Sequence, residues 1–229
     1  MVIGNGLIAN AFESYKTRED TIIFASGVSN SSIPESDSSF ERENNLLDLY
    51  LSQSEKKLIY FSTCSILDGS KRTPYINHKI GIEEKIKKNS ENFLIFRLPI
   101  VIGISENKNT FFNSIAKRII EDGDISIYRN ASRYIIDVDD LSNILPSFID
   151  GKYSRKEINV CFENRESVEN LVYMIERNLG KTSKKTFVET NQNIPIDNSH
   201  FLGGLKSIGY YFDEYYNEKV IKKYCDIIR

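Results

Sequence analysis

Cysteine and histidine are scarce in this sequence, and the sites they build are excluded with them. The three cysteines, Cys64, Cys161 and Cys225, are odd in number and widely spaced, and His78 and His200 are the only histidines. Neither a disulfide framework nor a zinc site has the residues it needs, which points to a reducing compartment and no metal. Long apolar runs are missing as well. The most apolar stretch, Phe93 to Ile104, is interrupted by Arg97 and Pro99 and is too short to span a bilayer. The opening residues, Met-Val-Ile-Gly-Asn-Gly, lack the basic flank and apolar core of a secretion signal, so a cytoplasmic chain without membrane insertion is expected. An excess of one charge is the third absence. Lys and Arg number 30 and Asp and Glu 32, a net charge of −2 that gives no electrostatic reason for nucleic-acid binding. An anionic partner would have to be held by a few placed groups.

What is present is a globular composition, 40% hydrophobic and 27% charged over 229 residues, enough for one large domain or a core with a small appendage. Val2-Ile3 runs straight into Gly4-Asn5-Gly6-Leu7-Ile8-Ala9, and Leu7 to Tyr15 reads as a helix. Thr21 to Ala25, Lys57 to Thr63 and Phe93 to Ile102 read as buried strands, with helices over Phe40 to Ser52 and from Thr73-Pro74 to about Lys88. The pattern βαβαβαβ implies an α/β fold, a doubly wound parallel sheet covered on both faces. Beyond Gly103 the rhythm changes to helices at Thr110 to Glu121, Asp139 to Ile149, Ser167 to Leu179 and Glu214 to Ile228, with short strands at Ile125 to Tyr128, Tyr134 to Val138 and Ile158 to Phe162. This part reads as a smaller lobe interleaved with the sheet.

Two patterns carry chemistry. Gly4-x-Gly6-x-x-Ala9 allows a tight strand-to-helix turn and the approach of a pyrophosphate to backbone without a Cβ in the way, although a ligand-free turn has the same spacing. Tyr75-x-x-x-Lys79 sets a phenol and an ammonium one helical turn apart, where the cation is expected to lower the phenol's pKa toward the range of a general acid or base. Tyr215 and Lys219 repeat the spacing at the edge of a C-terminal helix. Only Tyr75 follows a strand end, Phe61-Ser62-Thr63-Cys64-Ser65, from which a Thr63 hydroxyl can share one carbonyl oxygen with the phenol. Such a pair beside a nicotinamide is a hydride-transfer constellation.

These segments, with Arg97-x-x-x-Val101-x-Gly103 and Arg133-Tyr-Ile-Ile-Asp-Val-Asp-Asp140, resemble the extended short-chain dehydrogenase/reductase family of nucleotide-sugar epimerases, dehydratases and ketoreductases. The local match is best to dTDP-4-dehydrorhamnose reductase-like enzymes. The resemblance implies a Rossmann-like core over 1–103 and about 134–162, and a substrate lobe over about 104–133 and 163–229. It implies NAD or NADP as cofactor, held by Gly4, Asn5, Gly6, Leu7, Ile8, Ser26, Gly27, Ser62, Lys79 and Pro99. Thr63, Tyr75 and Lys79 take the catalytic roles, Lys79 both tuning Tyr75 and binding the nicotinamide ribose. A nucleotide-sugar substrate, of the kind used in surface-polysaccharide sugar biosynthesis, is then held by Thr63, Cys64, Ser65, Tyr75, Asn113 and Arg133. Related enzymes form homodimers through two helices, here carrying Leu46, Leu47, Tyr50, Ile82 and Ile86, which equally suit packing on their own sheet.

The departures narrow this. No room exists between the glycine turn and Thr21 for two βα units that the family carries there, so the outer strand pair is expected to be missing, and with it the acid that binds the adenosine ribose. Ser29 and Asn30 are the nearest substitutes, and weaker cofactor affinity is expected. Cys64-Ser65 stands where dehydratases place Asp-Glu, which disfavours dehydration, and Ile100 and Ile102 replace an asparagine and a tyrosine. Reduction is favoured over epimerisation, since an epimerase must retain its nicotinamide through a cycle. The alternatives are a nucleotide-sugar epimerase of the same family, or a degenerate member that binds a nucleotide sugar or a partner protein without hydride chemistry.

Overall fold

The computed structural model describes residues 1–52, 55–69, 72–189 and 196–228. Val2–Ile3 (β1) runs into the glycine turn, and Leu7–Ala11 (α1) follows it. The longer helix expected to Tyr15 is split, because Phe12 already leaves helical geometry and Glu13–Tyr15 tightens into a 3-10 turn. Thr21–Phe24 (β2), Ser38–Leu51 (α2), Lys57–Thr63 (β3), Pro74–Asn89 (α3) and Phe93–Leu98 (β4) then alternate. The sequence supplies the caps: Asp37 accepts from the Ser39 N–H at 2.9 Å to open α2, and Thr73 accepts from the Ile76 N–H at 3.2 Å, ahead of Pro74, to open α3.

The stretch expected as one strand to Ile102 is two. Pro99 has no N–H for a ladder, so the chain turns there and Ile100–Ile102 (β5) leaves the main sheet. Phe111–Ile120 (α4), Asp124–Arg129 (β6), Ser132–Arg133 (β7), Ile135–Asp137 (β8), Val138–Ile149 (α5) and Lys156–Asn159 (β9) follow. The chain continues through Glu166–Ser167 (β10), Val168–Leu179 (α6), Lys184–Glu189 (β11), Ser199–Ser207 (α7) and Tyr216–Ile228 (α8). β5 pairs with β8, β6 with β11 and β7 with β10. Among the described residues no helix is long and apolar enough to cross a membrane.

The main sheet has the order β1-β2-β3-β4-β9 and is parallel throughout. Side chains alternate between its faces. Ile22, Phe24, Leu58, Tyr60, Phe93 and Ile95 pack under Leu47 of α2 and Ile82 and Ile86 of α3. The residues named for a dimer seam are therefore turned inward: Leu47, Ile82 and Ile86 are fully buried against their own sheet and Leu46 and Tyr50 pack beside them. On the opposite face Ile23, Ile59, Phe61, Leu94 and Phe96 meet Phe12 and Tyr15 behind α1 and Leu141 and Ile144 of α5, in a cluster that continues without a break into the lobe as far as Val220 and Tyr224 of α8.

The two faces reveal the hand of the crossovers. From β1 to β4 each step moves to the next strand in one direction, but α1 lies on one face and α2 and α3 on the other. The β1–α1–β2 crossover therefore has the opposite hand to the two that follow, in a class of connection that is almost always right-handed. This is the path that remains when two outer βα units are removed from a doubly wound sheet and its first strand is joined directly to the fourth. β1 becomes the sheet margin.

Candidate active site

The C-terminal ends of parallel strands are where open α/β sheets bind ligands, and a cavity of about 550 Å³ lies there. Thr63, Cys64 and Ser65 line it from the end of β3, Tyr75 from the first turn of α3, Pro99 and Ile100 from the break after β4, and Arg133 from β7. The Thr63 hydroxyl accepts from the Ser65 N–H at 3.1 Å, which fixes its rotamer. The Tyr75 side chain, 8% exposed, lines the same cavity, and the neighbouring Thr63 side chain bears on its ionisation. The two side chains that the spacing suggested would converge line one cavity.

Lys79 goes elsewhere. It is 2% exposed and is absent from the cavity wall. Its ammonium donates to Glu43 Oε1 at 3.1 Å and to the Tyr60 hydroxyl at 2.8 Å. Glu43, from α2, is wholly buried and also accepts from the Val28 N–H at 2.7 Å, from the Tyr60 O–H at 2.7 Å and from His78 Nε2 at 2.9 Å. Burial opposes the charge on Glu43, yet Lys79 and these hydrogen bonds hold its carboxyl down at about 2. The expected lowering of the Tyr75 phenol by Lys79 is overturned. Burial, then the Glu43 carboxylate, push the phenol up to about 12, with the neighbouring Thr63 side chain acting against them. The ammonium is closed into its own ion pair, and Glu43, not Lys79, is the charge that bears on Tyr75.

The glycine turn keeps its conformational purpose. Gly4 has φ +124 and a Cβ there would lie 2.5 Å from the Ala25 carbonyl oxygen, so no other residue fits. Gly4, Asn5 and Gly6 are exposed, and nothing stands within 4 Å of where a Gly6 Cβ would be, which leaves the backbone open to a pyrophosphate. Leu7 and Ile8 are partly buried, with Leu7 packed toward Gly103. None of the five lines the cavity. Ser26 is held by Arg42, whose guanidinium donates to its hydroxyl and carbonyl oxygens at 3.0 and 3.1 Å. Gly27 passes so close to the ion pair that a Cβ would lie 2.7 Å from Lys79 Nζ.

Other expected positions are also outside the cavity. Ser29 accepts from the Asn107 amide at 3.2 Å, and the Asn30 side chain accepts from the Ser32 N–H at 3.0 Å; the cavity wall begins one residue later, at Ser31. Ser62 is buried within β3. Asn113 donates its amide to the Ser105 and Asn107 carbonyls at 3.1 and 2.9 Å, which shapes the loop before α4 and commits both its N–H groups.

Two features were not legible in the sequence. Arg165, in the loop between β9 and β10, lines the cavity with Arg133. Burial first, then the neighbouring Arg165 charge, makes the Arg133 charge costlier, while Asp68 across the cavity favours it. The signal available was position: Arg165 follows the end of a parallel strand, where ligand-binding loops arise. The second feature is a thiol pair. Cys64 and Cys161, distant in sequence, have their sulfurs 3.2 Å apart, and Cys64 Sγ also reaches the Arg97 carbonyl at 3.1 Å. β4 ends between them, and both thiols are free.

No family model matches the sequence, and no curated protein shows significant sequence similarity to it. Solved structures do match its fold. UDP-glucuronic acid 4-epimerase from Bacillus cereus, in complex with UDP-glucuronic acid and NAD, superposes with a TM-score of 0.70 at 17% identity, over 97% of this chain and 79% of that one. RMD from Pseudomonas aeruginosa, complexed with NADPH, gives 0.69 at 14% identity over 99% and 89%. A dTDP-4-dehydrorhamnose reductase from Clostridium acetobutylicum gives 0.68 at 13% over 97% and 85%. The chain thus has the Rossmann-like fold of the nucleotide-sugar epimerases and reductases, with a parallel sheet that stops at its own first strand.

Proposed function

We propose that this protein reduces the keto group of a nucleotide-linked sugar, with a nicotinamide dinucleotide as hydride donor and Tyr75 as proton donor. The observation that carries the reading is one cavity lined by Thr63 and Tyr75 and also by Arg133 and Arg165. The guanidiniums suit a diphosphate, which accepts bidentate charge-assisted hydrogen bonds. The hydroxyl and phenol then meet the sugar carbonyl oxygen. Ile100 and Phe111 supply apolar wall, and Cys64-Ser65, next after Thr63, offers no carboxylate; the one carboxylate among the lining residues is Asp68.

The residues present fit the cofactor at its centre. The open Gly6 turn suits the pyrophosphate, and Pro99, which lines the cavity with Tyr75, would border the nicotinamide. Lys79, buried in its ion pair with Glu43 and off the cavity wall, does not present its ammonium to the ribose. The bound dinucleotide supplies a hydride to the carbonyl carbon. As charge grows on the carbonyl oxygen, Thr63 orients it and the Tyr75 phenol hands over its proton. The missing outer strands remove adenosine contacts, so affinity for the dinucleotide is expected to be low.

The ion pair that holds Lys79 favours a second reading, in which the cavity binds a sugar nucleotide without hydride transfer. Titration of NADH and NADPH fluorescence separates the two: binding in the micromolar to millimolar range is expected, and none at millimolar cofactor favours the second. In the wild type, NAD(P)H consumption with keto-sugar nucleotides is expected, and loss of turnover in Tyr75→Phe. Unchanged turnover in that variant eliminates the phenol as donor.

A further inference from the structure

Glu43 is a wholly buried carboxylate that the reading above does not use. It sits on α2, away from the cavity wall, and four groups converge on it: Val28, Tyr60, His78 and Lys79. Oε1 takes Tyr60 and Lys79, and Oε2 takes Val28 and His78. The Lys79 ammonium stands 5.9 Å from the centre of the Tyr75 ring and 5.0 Å from that of Tyr60, so the ion pair lies directly behind the phenol. The charged and titratable groups around it are Glu43 from α2, Tyr60 from β3, and His78, Lys79 and Glu83 from α3. Glu83 is itself neutralised by Arg97 of β4, with contacts of 3.0 and 2.6 Å.

We propose that Glu43 is a positioning residue for Tyr75: by closing the Lys79 ammonium into an internal ion pair, it keeps the phenol in its protonated, proton-donating form. The inference deepens the reductase reading, because a protonated phenol is the species that carbonyl reduction consumes. A lone lysine at this distance would draw the phenol toward phenolate. Paired with Glu43, it leaves a locally neutral surrounding in which burial dominates. The same carboxylate fixes the Gly27–Val28 backbone against Lys79, so orientation and charge are set by one group.

The test is the ionisation of Tyr75 in the protein without cofactor or substrate, read as tyrosinate absorbance after subtraction of the matching Tyr75→Phe protein. In Glu43→Gln, which preserves shape, the midpoint is expected to fall by at least about one pH unit. Adding Lys79→Met to Glu43→Gln should return it toward the wild-type value. A midpoint unmoved in Glu43→Gln, or lowered but not restored in the double variant, overturns the proposal, since a merely structural loosening would not reverse on removing the lysine. Lys79→Met alone needs no change at Glu43 and keeps the idea testable if Glu43→Gln does not fold. It should show no Tyr75 ionisation below the wild-type midpoint, and ionisation about one unit earlier overturns the proposal. Because the titration uses neither NAD(P)H nor sugar, a failure to bind cofactor would sink the reductase reading without touching this one.

Discussion

Burial and the neighbouring Arg165 charge make the Arg133 guanidinium costly to hold, and a bound diphosphate would offset that cost. Arg133→Ala or Arg165→Ala should therefore weaken binding of a nucleoside diphosphate by about ten- to a hundredfold, the worth of a charge-assisted hydrogen bond, as read by calorimetry. Arg133→Lys should recover little of it, for an ammonium offers no planar fork. Glu43 makes a prediction of opposite sense, on stability. Its carboxyl is held at about 2 when folded, against an unfolded value near 4.3. A depressed folded pKa gives stability that is present above the unfolded pKa and lost as pH falls from about 4.3 toward 2, on the order of 3 kcal/mol. Denaturation midpoints between pH 6 and pH 3 should fall steeply in the wild type and less in Glu43→Gln; equal slopes would contradict this. Thr63, Tyr75 and Arg133 were legible because strand end, helix start and residue spacing are local properties. Lys79 was legible as a residue and misread as a partner, since its choice of Glu43 depends on how α2 meets α3, 36 residues apart in sequence.

Elements with their own periodicity or punctuation were readable. β3 occupies the residues expected, and α3 begins where Thr73-Pro74 places it. Elements that exist only through a neighbour were not. β11 is mostly exposed and polar, and becomes a strand by pairing along its whole length with β6; nothing in Lys184 to Glu189 taken alone announces it. α3 also shows how an element that bears a site residue is held in place. Its Glu83, 2% exposed, takes a two-pronged contact from Arg97 of β4, so the helix carrying Tyr75 is tied to the sheet about two turns below. Removing one partner leaves the other charge unpaired beside the core. Glu83→Gln should cost about 3–5 kcal/mol, seen as a lower denaturant midpoint, whereas Arg97→Met with Glu83→Leu should recover much of it. If both cost the same, the pair is not what secures α3.

On the scale of the whole molecule, one hydrophobic cluster runs from the sheet face into the lobe, and the C-terminal segment closes it. Phe162, Phe212 and Tyr216 pack with ring centres 4.1 to 4.6 Å apart, and the Tyr216 hydroxyl donates to Asp140 at 2.6 Å and accepts from the Asp137 N–H at 2.9 Å. The chain should therefore melt in a single transition. Tyr216→Ala should lower it by the equivalent of about 3–5 kcal/mol without splitting it, and two calorimetric peaks would show separate units. The sheet order was foreseeable, because deleting an outer pair leaves the first and fourth strands as neighbours. The reversed hand of the first crossover was not, since strand patterns carry no record of which face a helix takes. One consequence attaches to the margin created by that shortcut. A sheet that loses its outer strands bares a row of backbone donors and acceptors, the kind of surface that invites stray chains and fibril growth. Here the bared strand is only Val2–Ile3, too brief to template another, so a sheet that ends at its first strand does not leave a sticky flank.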